Sequence, residues 1–173
     1  MENSSRGLFF LLLRESLWGN EKSTYSGISS HDIRDSIAIA KPQSVLGLVA
    51  NVILSDSTLS EKLSVQENAK LRHFVMSNLS TSQMLNKKLL AIVQELRKHG
   101  IDPVLLKGQG ISKYYPIPEL RQCGDIDIYV GQENFEKACD VIGAMSTPED
   151  HQGDIPSLKH YHTRIGHAFI EIH

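Results

Sequence analysis

The hydrophobic pattern of this chain changes period at Gly100. Before that glycine, apolar residues recur at helical spacing. After it they bunch into short runs or alternate with polar residues, as strands do. A chain that switches from a 3.6 to a 2.0 repeat once, and late, is restricted to an α+β plan: helices first, then a small mixed sheet with helices on one side.

The helical part is read element by element. Gly7 to Trp18 forms a short helix closed by Gly19-Asn20, and Glu21 to Ser30 is a Ser/Thr/Gly-rich loop. Ser30 or Asp32 can cap a helix running to about Lys41. Pro42 sits near the start of the next, about Gln43 to Leu54, with Val45, Leu48, Val49 and Val52 apolar. Ser55 to Thr58 is a break and cap. Two further helices are expected, Ser64 to Leu79 and Ser82 to His99, the second ended by Gly100 at the C-prime position. Beyond it, Asp102 to Gly108 reads as a short buried strand, Gln109 to Tyr115 as at most two helical turns, and Glu133 to Met145 as a helix. After a polar loop, Ser146 to Ser157, Leu158 to Ile165 and His167 to His173 read as a hairpin around Gly166.

Between these lies Gly124-Asp125-Ile126-Asp127-Ile128-Tyr129-Val130. Strand side chains alternate faces, so Asp125 and Asp127 share one side and Ile126 and Ile128 the other. Two like charges so placed repel each other unless a cation sits between them. Alone, the pair also fits an edge strand with a solvated acidic face. The last run, Phe169-Ile170-Glu171-Ile172-His173, alternates in the same way and puts Glu171 in the middle of a second apolar strand. If the two strands are neighbours, Asp125, Asp127 and Glu171 converge. Hard oxygen ligands of this kind suit Mg2+ or Mn2+ rather than zinc.

Upstream, Lys107-Gly108-Gln109-Gly110 follows a strand and opens a short helix. Glycines there let the backbone approach a phosphate, and Lys107 adds a point charge. Arg121 lies just before the acid strand, as a structural partner of the Asp pair or as a substrate contact. His160, His162, His167 and His173 can cluster across the hairpin, but the spacing is not that of a structural zinc site. His173 shares a face with Glu171. Tyr114 and Tyr115 can stack on a base or anchor a loop.

Composition narrows the class of partner. The chain of 173 residues carries a net charge of -2 and a pI near 6.4, which gives no bulk attraction to nucleic acid or an anionic membrane. Two cysteines, Cys123 and Cys139, make no disulfide framework, and no run approaches the ~20 apolar residues of a membrane span. A cytoplasmic protein is expected.

The series Leu105 to Gly108, Arg121, Gly124 to Val130 and Ile170 to His173 resembles the uncharacterised bacterial nucleotidyltransferase family, within the DNA-polymerase-beta-like nucleotidyltransferase superfamily. The resemblance covers about residues 82–173, the expected nucleotidyltransferase-like core. Residues 1–81 are expected to form a helical N-terminal region that carries no motif. The family pattern is a glycine turn, then D-x-D, then a third acid on a later strand. It implies Asp125, Asp127 and Glu171 as catalytic and metal-binding residues. It also implies Lys107, Gly108, Gln109, Gly110 and Arg121 as nucleotide-binding residues. Many superfamily members have Gly-Ser at the turn where this chain has Gly108-Gln109, and many use Asp where it has Glu171. Relatives usually continue into a C-terminal helical part, so that part is expected to be missing here. The implied activity moves an NMP from an NTP to an acceptor hydroxyl, whether on a small molecule, a protein or RNA. The contrasting expectation is a non-catalytic nucleotide-binding or interaction module whose N-terminal helices dock a protein partner.

Overall fold

Helix boundaries follow the local capping chemistry. The computed structural model describes residues 5–19, 24–146 and 160–173. Helix α1 is Ser5–Trp18 and α2 is Ser30–Ala40. The cap of α2 is Ser29, one residue earlier than expected. Its side chain accepts from the Asp32 amide, and the Asp32 carboxylate accepts from the Ser29 amide at 3.0 Å, a reciprocal capping box. Helix α3, Leu46–Ser55, starts three residues later than expected because Ser44 takes a left-handed φ of 56°, which no helix continues. Asp56 then caps the single turn α4, Ser57–Ser60, by accepting from the Leu59 amide at 3.1 Å.

The two helices expected between Ser64 and His99 are one. Helix α5 runs Val65–Lys98, 34 residues without interruption. The Ser80-Thr81-Ser82 stretch suggested a break, but it contains neither Gly nor Pro, and hydroxyl residues cost a helix interior only tenths of a kcal/mol. Residues 102–108 also differ from expectation. Strand β1 is only Val104–Leu105, and Val104 is exposed at the sheet edge rather than buried. A four-residue turn of helix, α6, covers Gln109–Ser112, and a 3-10 turn covers Pro118–Leu120. Strand β2 is Asp125–Tyr129, α7 is Phe135–Met145, β3 is Tyr161–Ile165 and β4 is Ala168–Ile172. Most of the expected Ser146–Ser157 loop and the first residues of the expected 158–165 strand lie outside the described residues.

The chain divides into two units. Met1–Ser82 with Lys113–Gln122 form a helical unit, whose core includes Leu12, Ile33, Val49, Ile53, Leu59 and Leu120. Gln83–Ser112 with Cys123–His173 form the sheet unit. Its four strands are ordered β1-β2-β4-β3: β1 is antiparallel to β2, β2 parallel to β4, and β3 antiparallel to β4. The parallel pair needs a crossover, and α7 lies in it. One face of the sheet presents Ile126, Ile128, Ile170 and Ile172, which pack with Leu85, Ile92 and Leu96 of α5 and with Ala138 and Ile142 of α7. That packing leaves the opposite face for polar residues. No helix among the described residues is long and apolar enough to cross a membrane.

Candidate active site

The register of β2 on β4 assembles the site. Asp125 stands opposite Phe169, and Asp127 opposite Glu171. Because the isoleucines between them face the core, the three carboxylates face the other way together. One oxygen from each of Asp125, Asp127 and Glu171 lies within 4.8 Å of the others, a spacing that one cation can bridge. The convergence expected of the three acids is present.

Asp127 is the unusual member. It is 0 % exposed, and neither carboxylate oxygen receives a well-aligned hydrogen bond among the described residues. Burying a carboxylate without partners costs several kcal/mol. The nearest charge is the Lys107 ammonium, 2.9 Å from Oδ1. That contact is an ion pair without hydrogen-bond alignment. Lys107 is held above its ordinary pKa first by its direct polar contact with Asp127, then by that carboxylate's charge, with further contributions from Asp125 and Glu171. An ammonium thus stands where a cation is needed. An oxygen-only donor set that includes a buried carboxylate held by a half-exposed ammonium fits a hard divalent ion.

The turn beside it is set by glycine. Gly108 has φ +62°, and a Cβ there would lie 3.4 Å from the Asp125 carbonyl oxygen. The turn and the acid strand are therefore in direct contact, reinforced by the Leu106 amide donating to the Asp127 carbonyl at 3.1 Å. At Gly110 the amide already donates to the Lys107 carbonyl at 3.2 Å, so it serves the turn rather than a ligand. Gln109 is 9 % exposed, and both atoms of its side-chain amide are buried without a hydrogen-bond partner. Arg121 follows the 3-10 turn, donates its amide to the Pro118 carbonyl, and belongs to the helical unit. Tyr115 packs on the helical core, while Tyr114 is exposed.

Three histidines ring Glu171, which the motif reading did not assign to the site as a group. His160 Nδ1 and His162 Nε2 each lie 3.7 Å from Glu171 Oε1, and His173 Nε2 lies 3.6 Å from it. The signal was available. Tyr161 pairs with Ile172 and His162 with Glu171. Counting outward across the Gly166 turn therefore sets His160 against His173. A cleft of about 410 Å³ opens on this face, lined by Gly124, Asp125, His162, Phe169 and Glu171. That lies within the ~300–1,000 Å³ typical of small-ligand sites. Phe169 is half exposed, and the Arg164 guanidinium sits 4.0 Å from its ring centre.

A small mixed sheet backed by helices, with acids paired across parallel strands, is a nucleotidyltransferase-like fold. The family comparison agrees. Residues 29–173 match the model of the uncharacterised nucleotidyltransferase family, and the chain belongs to that family. The match begins well before the motifs do and takes in α2 to α4, which carry none of them. Membership places the chain among enzymes that transfer a nucleoside monophosphate and generally employ divalent metals. No curated protein and no solved structure matches it.

Proposed function

We propose that this protein transfers an NMP from an NTP to an acceptor hydroxyl, releasing pyrophosphate, with Asp125, Asp127 and Glu171 holding the metal. The observation that carries the reading is Asp127: a fully buried carboxylate paired in register with Glu171, whose close partner among the described residues is the half-exposed Lys107 ammonium at 2.9 Å. Bound there, Mg2+ (or Mn2+) supplies charge neutralisation for the triphosphate and a more acidic acceptor hydroxyl. The acceptor oxygen bonds to the α-phosphorus as the α–β bridging bond breaks, and the hydroxyl proton is lost to Glu171.

Lys107 has two positions in this scheme. Without metal it pairs with Asp127. With the carboxylate occupied, it turns to the β- and γ-phosphates, where its charge takes the place of the serine found at this turn in many of the superfamily. Gly108 keeps the backbone close enough for that exchange, and the unpartnered Gln109 amide offers a donor and an acceptor beside it. The sheet unit, Gln83–Ser112 with Cys123–His173, is the catalytic core of this reading, and the N-terminal helices are the part that docks any protein partner.

A thermal-shift series with each NTP, with and without Mg2+ or Mn2+, tests the proposal. Ligand at ~100 times its dissociation constant adds ~2.7 kcal/mol. The increment is expected to need the metal and to vanish in Asp125→Ala and Asp127→Ala, with far-UV spectra unchanged. If both variants bind NTP as the parent does, the site assignment is wrong. If no pair shifts the parent, the chain is a non-catalytic module.

A further inference from the structure

We infer that His160, Glu171 and His173 form a second metal site, selective for one borderline divalent ion of the Zn2+ or Co2+ type. Their ligand atoms all lie within 4.8 Å of one another, and the group shares only Glu171 with the acid triad. The histidine contacts at 3.6–3.7 Å are too long for hydrogen bonds. They are close to the ~3.4 Å that separates two ligands each ~2.0–2.1 Å from a tetrahedral ion. His173 Nε2 is buried and has no hydrogen-bond partner among the described residues, although it lies 3.7 Å from Asp127 Oδ1. The His160 and His173 rings meet edge to face with centres 4.8 Å apart.

The donor chemistry separates this group from the triad. Imidazole nitrogens select zinc-like ions, whereas the three carboxylates select magnesium-like ones. Two neutral imidazoles and one carboxylate leave a divalent ion with positive charge and open positions, the composition of sites that bind water or substrate. His162 touches Glu171 but lies outside the mutually close group, so it flanks the site. The inference rests on the reading of Glu171 as a metal-facing carboxylate, and not on the transfer reaction.

Co2+ is the probe, because a low-coordinate site of nitrogen and oxygen ligands intensifies its visible d–d bands far above those of aqueous Co2+. The whole chain is expected to take up one Co2+ with visible bands that Zn2+ removes and excess Mg2+ does not. His160 is half exposed, so His160→Ala and His160→Gln are expected to fold. Each should weaken Co2+ binding by more than the ~10–100-fold that loss of an outer-shell partner costs. Asp125→Asn is expected to keep the bands while losing Mg-dependent NTP binding. Bands absent in the parent, unchanged in both His160 variants, or lost in Asp125→Asn or in excess Mg2+ would overturn the inference. A parent that shows the bands but no NTP shift refutes the transferase reading and leaves this one standing.

Discussion

Glu67 of the helical unit and Asp127 of the sheet unit are held in opposite ways. In the helical unit, Glu67 receives the Arg34 guanidinium at 2.6 and 3.3 Å, the Ser64 amide at 2.8 Å and the Ser64 hydroxyl at 2.7 Å. Its carboxyl is held down at about 2, chiefly by the Arg34 contact and then by Ser64. Asp32 and Asp56 are likewise spent on helix caps. In the sheet unit, Asp127 is more deeply buried, and its close partner among the described residues is the Lys107 ammonium at 2.9 Å. A carboxylate that finishes a helix needs its partners supplied by the chain. A carboxylate that waits for a ligand must be left short of them.

The comparison is sharpest within β2, where adjacent residues face opposite ways. Ile128 is 1 % exposed in the sheet core, and Ile128→Ala is expected to cost ~2–5 kcal/mol by chemical denaturation, as large-to-small core changes do. Asp127→Asn should behave oppositely. It removes a buried charge whose ion-pair partner, the Lys107 ammonium, is half exposed and can return to solvent, so metal-free stability is expected to hold while Mg-dependent NTP stabilisation disappears. An Asp127→Asn protein as unstable as Ile128→Ala would make Asp127 a structural acid like Glu67, and the contrast between the units would fail.

That face-to-face split was legible from the sequence, because alternation is a local property. The period of two around Asp125 and the period around Glu171 each announce which residues are core. What alternation does not carry is the pairing. That Asp127 meets Glu171 depends on a parallel contact across α7, set by packing of Ile126, Ile128, Ile170 and Ile172 against the helices. The Lys107–Asp127 ion pair was illegible for a related reason: phosphate and carboxylate attract the same ammonium, and only the fold says which is nearer. The histidine ring around Glu171 was within reach, since hairpin register follows from the turn. The single helix α5 was misread because three hydroxyl residues resemble a cap when no tertiary packing is visible.

A smaller effect is expected at the turn. Gly108→Ala places a Cβ where φ is +62° and the Asp125 carbonyl is 3.4 Å away, at the edge of ordinary contact. The backbone term costs ~1–2 kcal/mol. Relief of that strain moves the turn away from Asp125, so NTP affinity should fall by more than stability does. Equal loss in both, read by denaturation and by nucleotide titration, would make Gly108 a plain strand-to-helix connection.

The smallest effect tests the helical side of the contrast. The Glu67 carboxyl is lowered from 4.5 to about 2 in the folded chain. At a pH above 4.5 both folded and unfolded states are ionised, and the whole contribution of the contacts is present. As pH falls, the unfolded chain takes up the proton first, so stability drains through that window and is gone near 2. Both partners lie at the surface, with side chains 51 % and 32 % exposed, so solvent screening keeps the effect modest. Glu67→Gln removes the titrating group. The gap in melting temperature between parent and variant is therefore expected to shrink steadily as the solution is acidified through the same range. A gap that stays constant would mean the contacts to Arg34 and Ser64 act as neutral packing. Glu67 would then no longer exemplify an acid satisfied by several fixed donors, in contrast to Asp127 with its single Lys107 contact.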